Sequence, residues 1–501
     1  MKREGKPEMA SVAPSVATGE FGQATAVPGD TVAMQRLLRT ELAPAPPDRR
    51  GVCVLALAVM SDIQVLDTAS PARCEWVDQW ATDPLWHSLQ PMHRPYEALT
   101  HLALAAHVQT LRRNPVGPCS ARPYDLALCL GDNIDNAQHN ELAAFLAIVA
   151  GGRARLWAYG GVQDAASAEL GPGPWPFWSP DAGVVDNYKP LGYPVVPDFL
   201  ARASAEVRSP GLGFAFASVP GNHDLMRQGT ALPEPAIEAI AIGDMKALHR
   251  PHGLAPADPL QHFVAHPAAF STGGTRRVAP LVTRRAVNKR EWIAAHVAHG
   301  AYGLDASSVQ RDSADAVIDT EHVRIILLDT NHPAGDFQGS VGSTQLQWLD
   351  QRLAEVDREP GRLAVLASHH GAMSLTNRRG DDPQRHLADA LTAVLHRHPC
   401  LAAWLVGHRH VYAIMPHPGR SGGFWEIATA SLIDWPSQTR AVEILRHGSG
   451  QVEIVCTLMD HGADTGSLAH LHRQLAFLAA GTKAAHMQGQ DCDADVRLMC
   501  R

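Results

Sequence analysis

Four apolar, strand-like runs in this chain each stop abruptly at a short polar block. Tyr124-Asp-Leu-Ala-Leu-Cys-Leu130 leads into Gly131-Asp132-Asn133-Ile134-Asp135, and Phe214 to Val219 leads into Pro220-Gly221-Asn222-His223-Asp224. Leu363 to Ala367 leads into Ser368-His369-His370, and Leu401 to Val406 into Gly407-His408-Arg409-His410. Short apolar runs bounded by Gly or Pro suit buried strands of an α/β sheet. Ligands bind at the carboxyl ends of such strands, so the pattern requires a fold that brings four distant segments to one edge.

Asp132, Asn222, His369, His408 and His410, delivered together, make a mixed oxygen and imidazole donor set without thiolate. That set suits Mn, Fe or Zn better than a soft-metal or all-oxygen calcium site.

On these blocks the chain resembles the calcineurin-like metallophosphoesterase superfamily. The superfamily signature is D-x-H, then G-D-x-x-D, G-N-H-[DE], a lone His after a strand, and G-H-x-H. The resemblance spans roughly Val52 to Ile444, and four of the five blocks match fully. At the first block the chain reads Met60-Ser61-Asp62-Ile63-Gln64, after the apolar run Val52 to Val59, so glutamine stands where the signature has histidine.

The resemblance implies an α/β fold, a two-sheet α/β/β/α sandwich with large loop insertions, holding two metal ions (Mn, Fe or Zn). Asp62 and His410 would bind the first ion, with Gln64 at the remaining motif position, and Asp132 would bridge both. Asn222, His369 and His408 would complete the second, His369 being preferred to His370 because it comes first after the strand. His223 would face the substrate as a proton donor or charge stabiliser, oriented by Asp224, and Asp135 would orient a ligand by hydrogen bonding. Two cations about 4 Å apart acidify a water and clamp the oxygens of an in-line displacement at phosphorus.

The implied activity is metal-dependent hydrolysis of a small phosphate ester, phosphodiester or nucleoside diphosphate-type substrate. Asp62-Ile63-Gln64 also resembles the first motif of the manganese-dependent ADP-ribose and CDP-alcohol diphosphatases of this superfamily, which raises nucleoside diphosphate-type substrates. An amide oxygen is a poorer ligand than imidazole, so the first site is expected to be the weaker. The competing reading is a non-catalytic binding scaffold whose first metal site has eroded at Gln64.

Forty-three Lys and Arg against 51 Asp and Glu give a net charge of −8. That offers no basic footprint for nucleic acid. Eight cysteines without a C-x-x-C pair fit a reduced, cytoplasmic setting. No apolar run approaches the roughly eighteen residues of a membrane span. Oligomeric state is not legible.

Residues 1–46, rich in Ala, Pro and Gly, are expected to form a mobile tail. Residues 47–462 form the main domain, with insertions at about 151–212 and 225–320, and 463–501 form a helical extension. The second insertion leaves the Asn222-His223-Asp224 turn directly, where loops commonly wall a substrate site; for both insertions, packing decoration remote from the site is the equal alternative. His101 and His107 are expected at a surface or interface, and Arg73 and Glu75 as a pair on a helix surface. His252, His262, His266, His396, His398, His417 and His461 are expected away from the site. The runs at Phe424–Ala428, Ala441–Leu445 and Val452–Cys456 predict an antiparallel flank to the second sheet.

Overall fold

The computed structural model describes residues 14–18, 24–28, 36–46, 51–156, 177–420, 422–481 and 489–500. Strand Val52–Met60 lies inside a seven-stranded mixed sheet. On one side it pairs in parallel with Leu126–Cys129, which pairs in parallel with Phe216–Ser218. On the other it pairs antiparallel with Thr439–Arg446, followed by Val452–Met459 and Val496–Met499.

A second, six-stranded sheet runs Ala316–Asp319, Val323–Leu328, Leu363–Ser368, Leu401–Val406, Gly422–Ala428, Ala413–Gly419. Its four inner strands are parallel. Each is buried on both faces, as crossover-covered parallel strands must be. Along Val323–Leu328 the period-2 alternation of side chains sends Val323, Ile325 and Leu327 into the core shared with the seven-stranded sheet. Ile326 and Leu328 point the other way, against Leu349, Leu353 and Val356 of helix Ser343–Asp357. Each such fully buried aliphatic contributes about 1.5–3 kcal/mol. Helices Thr100–Arg113, His139–Ala150 and Leu468–Ala480 pack against the same large core. The result is the expected two-sheet α/β sandwich with insertions.

Three expectations are corrected. The antiparallel flank belongs to the sheet of Val52–Met60: Phe424–Ala428 stays in the six-stranded sheet beside Leu401–Val406, and only the next two strands cross over. The alternation in these runs marks them as strands but carries no information about which sheet they join. Both chain ends contribute strands. Leu37–Arg39 pairs in parallel with Val496–Met499 at the edge of the seven-stranded sheet, and Pro14–Thr18 pairs with Ala24–Pro28. Finally, His101 and His107 are buried; burial pushes His101 down to about 4, a neutral ring inside the core. In the first insertion the proline-rich stretch from Gly171 to Pro176 lies outside the described residues.

Candidate metal centre

The four strands that end in motifs deliver their loops to one edge of the sandwich, and backbone hydrogen bonds lock those loops together. Asp62 N donates to Gly131 O (3.1 Å) and Gln64 N to Asp132 O (2.8 Å), while Gly407 N donates to His369 O (3.0 Å). Ile433 N donates to Asp62 O (3.1 Å), tying the two sheets at the same edge.

Five motif residues sit in the left-handed backbone region: Asp62 (φ 48°), Gln64 (48°), Asp132 (51°), His408 (69°) and His410 (57°). Non-glycine residues there cost on the order of 1 kcal/mol or more each and persist where function over-determines the backbone. The first and last motifs repeat one device, a left-handed residue at i and again at i+2.

The side chains of Asp62, Asp132, His408 and His410 converge with those of Asn222 and His369. His369 Nε2 lies 3.1 Å from Asp132 Oδ2, 3.0 Å from Asn222 Oδ1 and 3.2 Å from His408 Nδ1. His408 Nδ1 is 3.2 Å from Asn222 Oδ1, and His410 Nε2 is 3.2 Å from Asp62 Oδ1.

Protonation follows from these neighbours. Burial opposes charge on His369, but Asp132 outweighs it and holds the imidazole up at about 9. Burial likewise opposes ionisation of Asp132, while His369 and His223 hold its carboxyl well below the usual range. Burial, reinforced by His370 and His369, keeps His408 neutral. His369 Nδ1 donates to Leu130 O (2.7 Å), so the ring presents Nε2 to the centre. A proton on Nε2 satisfies Asp132 and Asn222 here, a role that a cation takes over when ligands bind metal.

His370 is placed differently. Its Nδ1 faces Thr330 Oγ1 (2.8 Å) and its Nε2 faces Phe337 O (3.0 Å), so both ring nitrogens are occupied. Among the described residues two trios have donor atoms within 4.8 Å of one another: His369, His370 and His408, and Asp62, Asp132 and His369. With His370 engaged elsewhere, Asn222 is the natural third donor beside His369 and His408. Gln64 Oε1 is buried without a hydrogen-bond partner among the described residues. Oxygen and imidazole donors within this reach of one another fit bound metal.

The structure places Asp224 away from the role expected for it. Asn222, His223 and Asp224 form one turn of helix, Asn222–Leu225, and consecutive helical residues point in different directions. Asp224 Oδ2 accepts from Gly221 N (2.8 Å) and from Asn133 N and Nδ2, stapling two motif loops. Burial, then Asp132, pushes its carboxyl up to about 7. His223 is oriented by Asp135 instead: its Nδ1 lies 2.9 Å from Asp135 O and 3.2 Å from Asp135 Oδ1.

Behind these residues lie two arginines, Arg73 buried and Arg94 largely so. Arg73 is only 1% exposed, not the helix-surface residue expected; its guanidinium pairs with Asp135 (2.5 Å), Glu75 (2.8 Å) and Glu97 (2.8 Å). Arg94 pairs with Asp434 (2.6 Å), which holds His410 Nδ1 (2.6 Å). Burial resists charge on His410, yet Asp62 and then Asp434 raise it to about 10. Gly229 (φ 67°) is packed so closely that a Cβ there would strike the His223 ring and the Asn222 amide. Asp434, Arg94 and Gly229 were absent from the sequence reading; Asp434 alone carried a signal, following the strand-like run Phe424–Ala428 as motif residues follow theirs. The other histidines lie elsewhere: His398 pairs with Asp350 and Asp357, and His417 with Glu426.

No family model matches the chain, and no curated protein matches it. Among solved structures, a dimetal phosphatase from Danio rerio is similar at 14% identity and TM-score 0.39, over 83% of this chain and 100% of that one. A Staphylococcus aureus protein named as a candidate 5'-nucleotidase, in complex with alpha-ketoglutarate, is similar at 12% identity and TM-score 0.30, over 84% and 58%. The sulfate thiohydrolase SoxB from Termus thermophilus, in complex with glycerol, is similar at 11% identity and TM-score 0.32, over 87% and 62%. These similarities carry no part of the functional reading, which rests on the motifs and their geometry.

Proposed function

We propose that this chain is a dinuclear metal-dependent phosphoesterase hydrolysing a small phosphate ester, phosphodiester or nucleoside diphosphate-type substrate. The observation that carries the reading is the meeting of Asp132, Asn222, His369 and His408 around one imidazole nitrogen, with His223 beside them.

Asp62, Gln64 and His410 would hold the first ion, Asn222, His369 and His408 the second, and Asp132 both. The chemistry supplied by two such ions is Lewis acidity, which makes a water nucleophilic near neutral pH and offsets phosphate charge. The chain's own residues do the rest. Asp132 Oδ1 accepts from His223 N (2.8 Å), so the bridge and the proton donor are fixed relative to one another. Asp135 and Asp132 raise the His223 pKa against the effect of burial. With Nδ1 held by Asp135, His223 keeps Nε2 to protonate a leaving oxygen or steady charge on the phosphoryl group. Arg73 holds Asp135 ionised behind it, against the burial that opposes its charge.

The nucleoside diphosphate-type reading is supported by Asp62-Ile63-Gln64, and a small substrate by the net charge of −8. Among the described residues no helix is long and apolar enough to cross a membrane. A cytoplasmic setting belongs to the same proposal, supported by eight cysteines without a C-x-x-C pair.

The test is turnover on a panel of phosphomonoesters, cyclic nucleotides and nucleoside diphosphate compounds with Mn, Fe, Zn and Mg. Hydrolysis that chelation abolishes and metal restores is expected. Metal binding without turnover on any member would favour the scaffold reading.

A further inference from the structure

We propose that a cavity beside helix Asn222–Leu225 binds a small organic acid, an apolar body carrying one carboxylate. The cavity, about 680 Å³, is bounded by Leu225 and Met226, by segments 286–289 and 312–315, and by segment 331–333 after strand Val323–Leu328. That volume suits a small molecule. None of the residues assigned to the metal ions lines it. Leu225, Met226, Leu232, Pro233 and Val287 give it apolar walls.

The polar groups of the wall specify what that body carries. Lys289 and Asp329 both line the cavity, with Lys289 Nζ 2.6 Å from Asp329 Oδ2. The Lys289 side chain is 37% exposed and this carboxylate is its one ion-pair partner among the described residues, so the ammonium keeps N–H groups to donate. Arg385, also in the wall, donates from Nε to Ser340 Oγ (2.9 Å) and from Nη2 to Ser340 O (2.7 Å) and Asn331 O (3.1 Å). Its Nη1 is neither hydrogen-bonded among the described residues nor sealed in protein. The carboxylates of the wall are the opposite case. Asp329 Oδ1 accepts from Asn331 N (3.0 Å) and Nδ2 (2.9 Å), Asp315 from Asp329 N (2.8 Å) and Gln345 Nε2 (3.0 Å), and Glu238 from Arg227 Nη2 (2.5 Å) and Ala286 N (2.6 Å). The spare capacity is donor capacity on cations, which selects a charged acceptor. Asp329 already offsets one of the two cations, and Asp312 and Asp315 add negative charge to the same wall. A monoanion is therefore favoured over a dianion such as phosphate.

The cavity also touches the loops of the centre. Asn331 Nδ2 donates to Pro220 O (3.2 Å), next to Gly221-Asn222, and Arg385 holds Asn331 O. A ligand drawn to Arg385 would therefore act on the turn that carries Asn222.

The experiment is equilibrium binding of hexanoate and hexanamide to the full chain, followed by calorimetry with and without a neutral chelator. Neither probe carries phosphorus, so the outcome is independent of whether the chain is a phosphoesterase. Hexanoate should bind about tenfold tighter than hexanamide or more, the scale of a hydrogen bond to a charged group, and equally well with the chelator present. Lys289→Gln and Arg385→Gln should each weaken hexanoate about tenfold. If these variants do not fold, Leu232→Trp decides: at a wall position 40% exposed, it narrows the cavity without touching an ion pair and should weaken hexanoate to the same extent. Absence of hexanoate binding at about 10 mM, binding that the chelator removes, or binding indifferent to the carboxylate or to these substitutions would overturn the proposal.

Discussion

Around Asn222 the donor atoms of His369 and His408 lie within 3.2 Å of the Asn222 oxygen and of each other, whereas the Asp62 carboxylate meets one imidazole, that of His410, besides the His408 amide and the Ser61 hydroxyl, and Gln64 Oε1 has no hydrogen-bond partner among the described residues. On the proposed assignment the two halves share Asp132 but are held by different means. The Asn222 half is fixed by what its members touch: Leu130 O on His369 and Asp62 on the His408 amide. The Asp62 half is fixed from outside, by Asp434 on His410 and Arg94 on Asp434. One half is a preassembled donor cluster. The other depends on a buried brace.

The largest effect is expected where the halves meet. Asp132→Asn should abolish turnover and reduce the metal bound at both positions, measured as kcat and metal per chain. Next, His223→Ala should slow hydrolysis about 10²-fold or more while leaving metal content nearly intact, as for loss of a proton donor or charge-stabilising group. Full activity in this variant would remove His223 from the chemistry.

Asp434→Asn addresses the brace alone. It should weaken the first ion about 10- to 100-fold, the scale for a residue that orients a metal-bound histidine, and leave the Asn222 position loaded. Equal weakening of both ions would show that the halves are not separately supported.

A smaller effect is expected in stability. His369 and His410 keep their protons up to about 9 and about 10 in the folded chain, against roughly 6.5 for an unperturbed histidine. Their contribution is complete below about pH 6.5 and is lost as pH rises through about 9 and 10. Metal-stripped protein should therefore lose thermal stability over that window relative to loaded protein, in which the cation replaces the proton. Parallel Tm profiles for the two forms would contradict this.

The same contrast explains what was legible in the sequence. The strand-ending motifs could be read because an apolar run that stops at Gly or Pro and a polar block both lie within a few residues. Arg73 and Arg94 could not, because they sit in the irregular segment between Val52–Met60 and Thr100–Arg113, and their partners Asp135 and Asp434 are supplied by other loops. Adjacency also misled: Asp224 follows His223 in the chain, but the helical turn sends it to Gly221 and Asn133, and the residue that orients His223 comes from the preceding motif. Thr439–Arg446 was recognisable as a strand from its alternation, but its place beside Val52–Met60 is a long-range pairing that no local pattern encodes.

The central claim is a dinuclear centre with unequal halves, and a metal titration of the wild-type chain beside Gln64→His tests it most directly. Bound metal and activity are followed together after mild chelation. The account predicts two ions per chain, one retained and one needed from solution for activity, with Gln64→His tightening the second of these and leaving the first unchanged. Two equally tight ions in the wild type, or a metal requirement unmoved by Gln64→His, would contradict it.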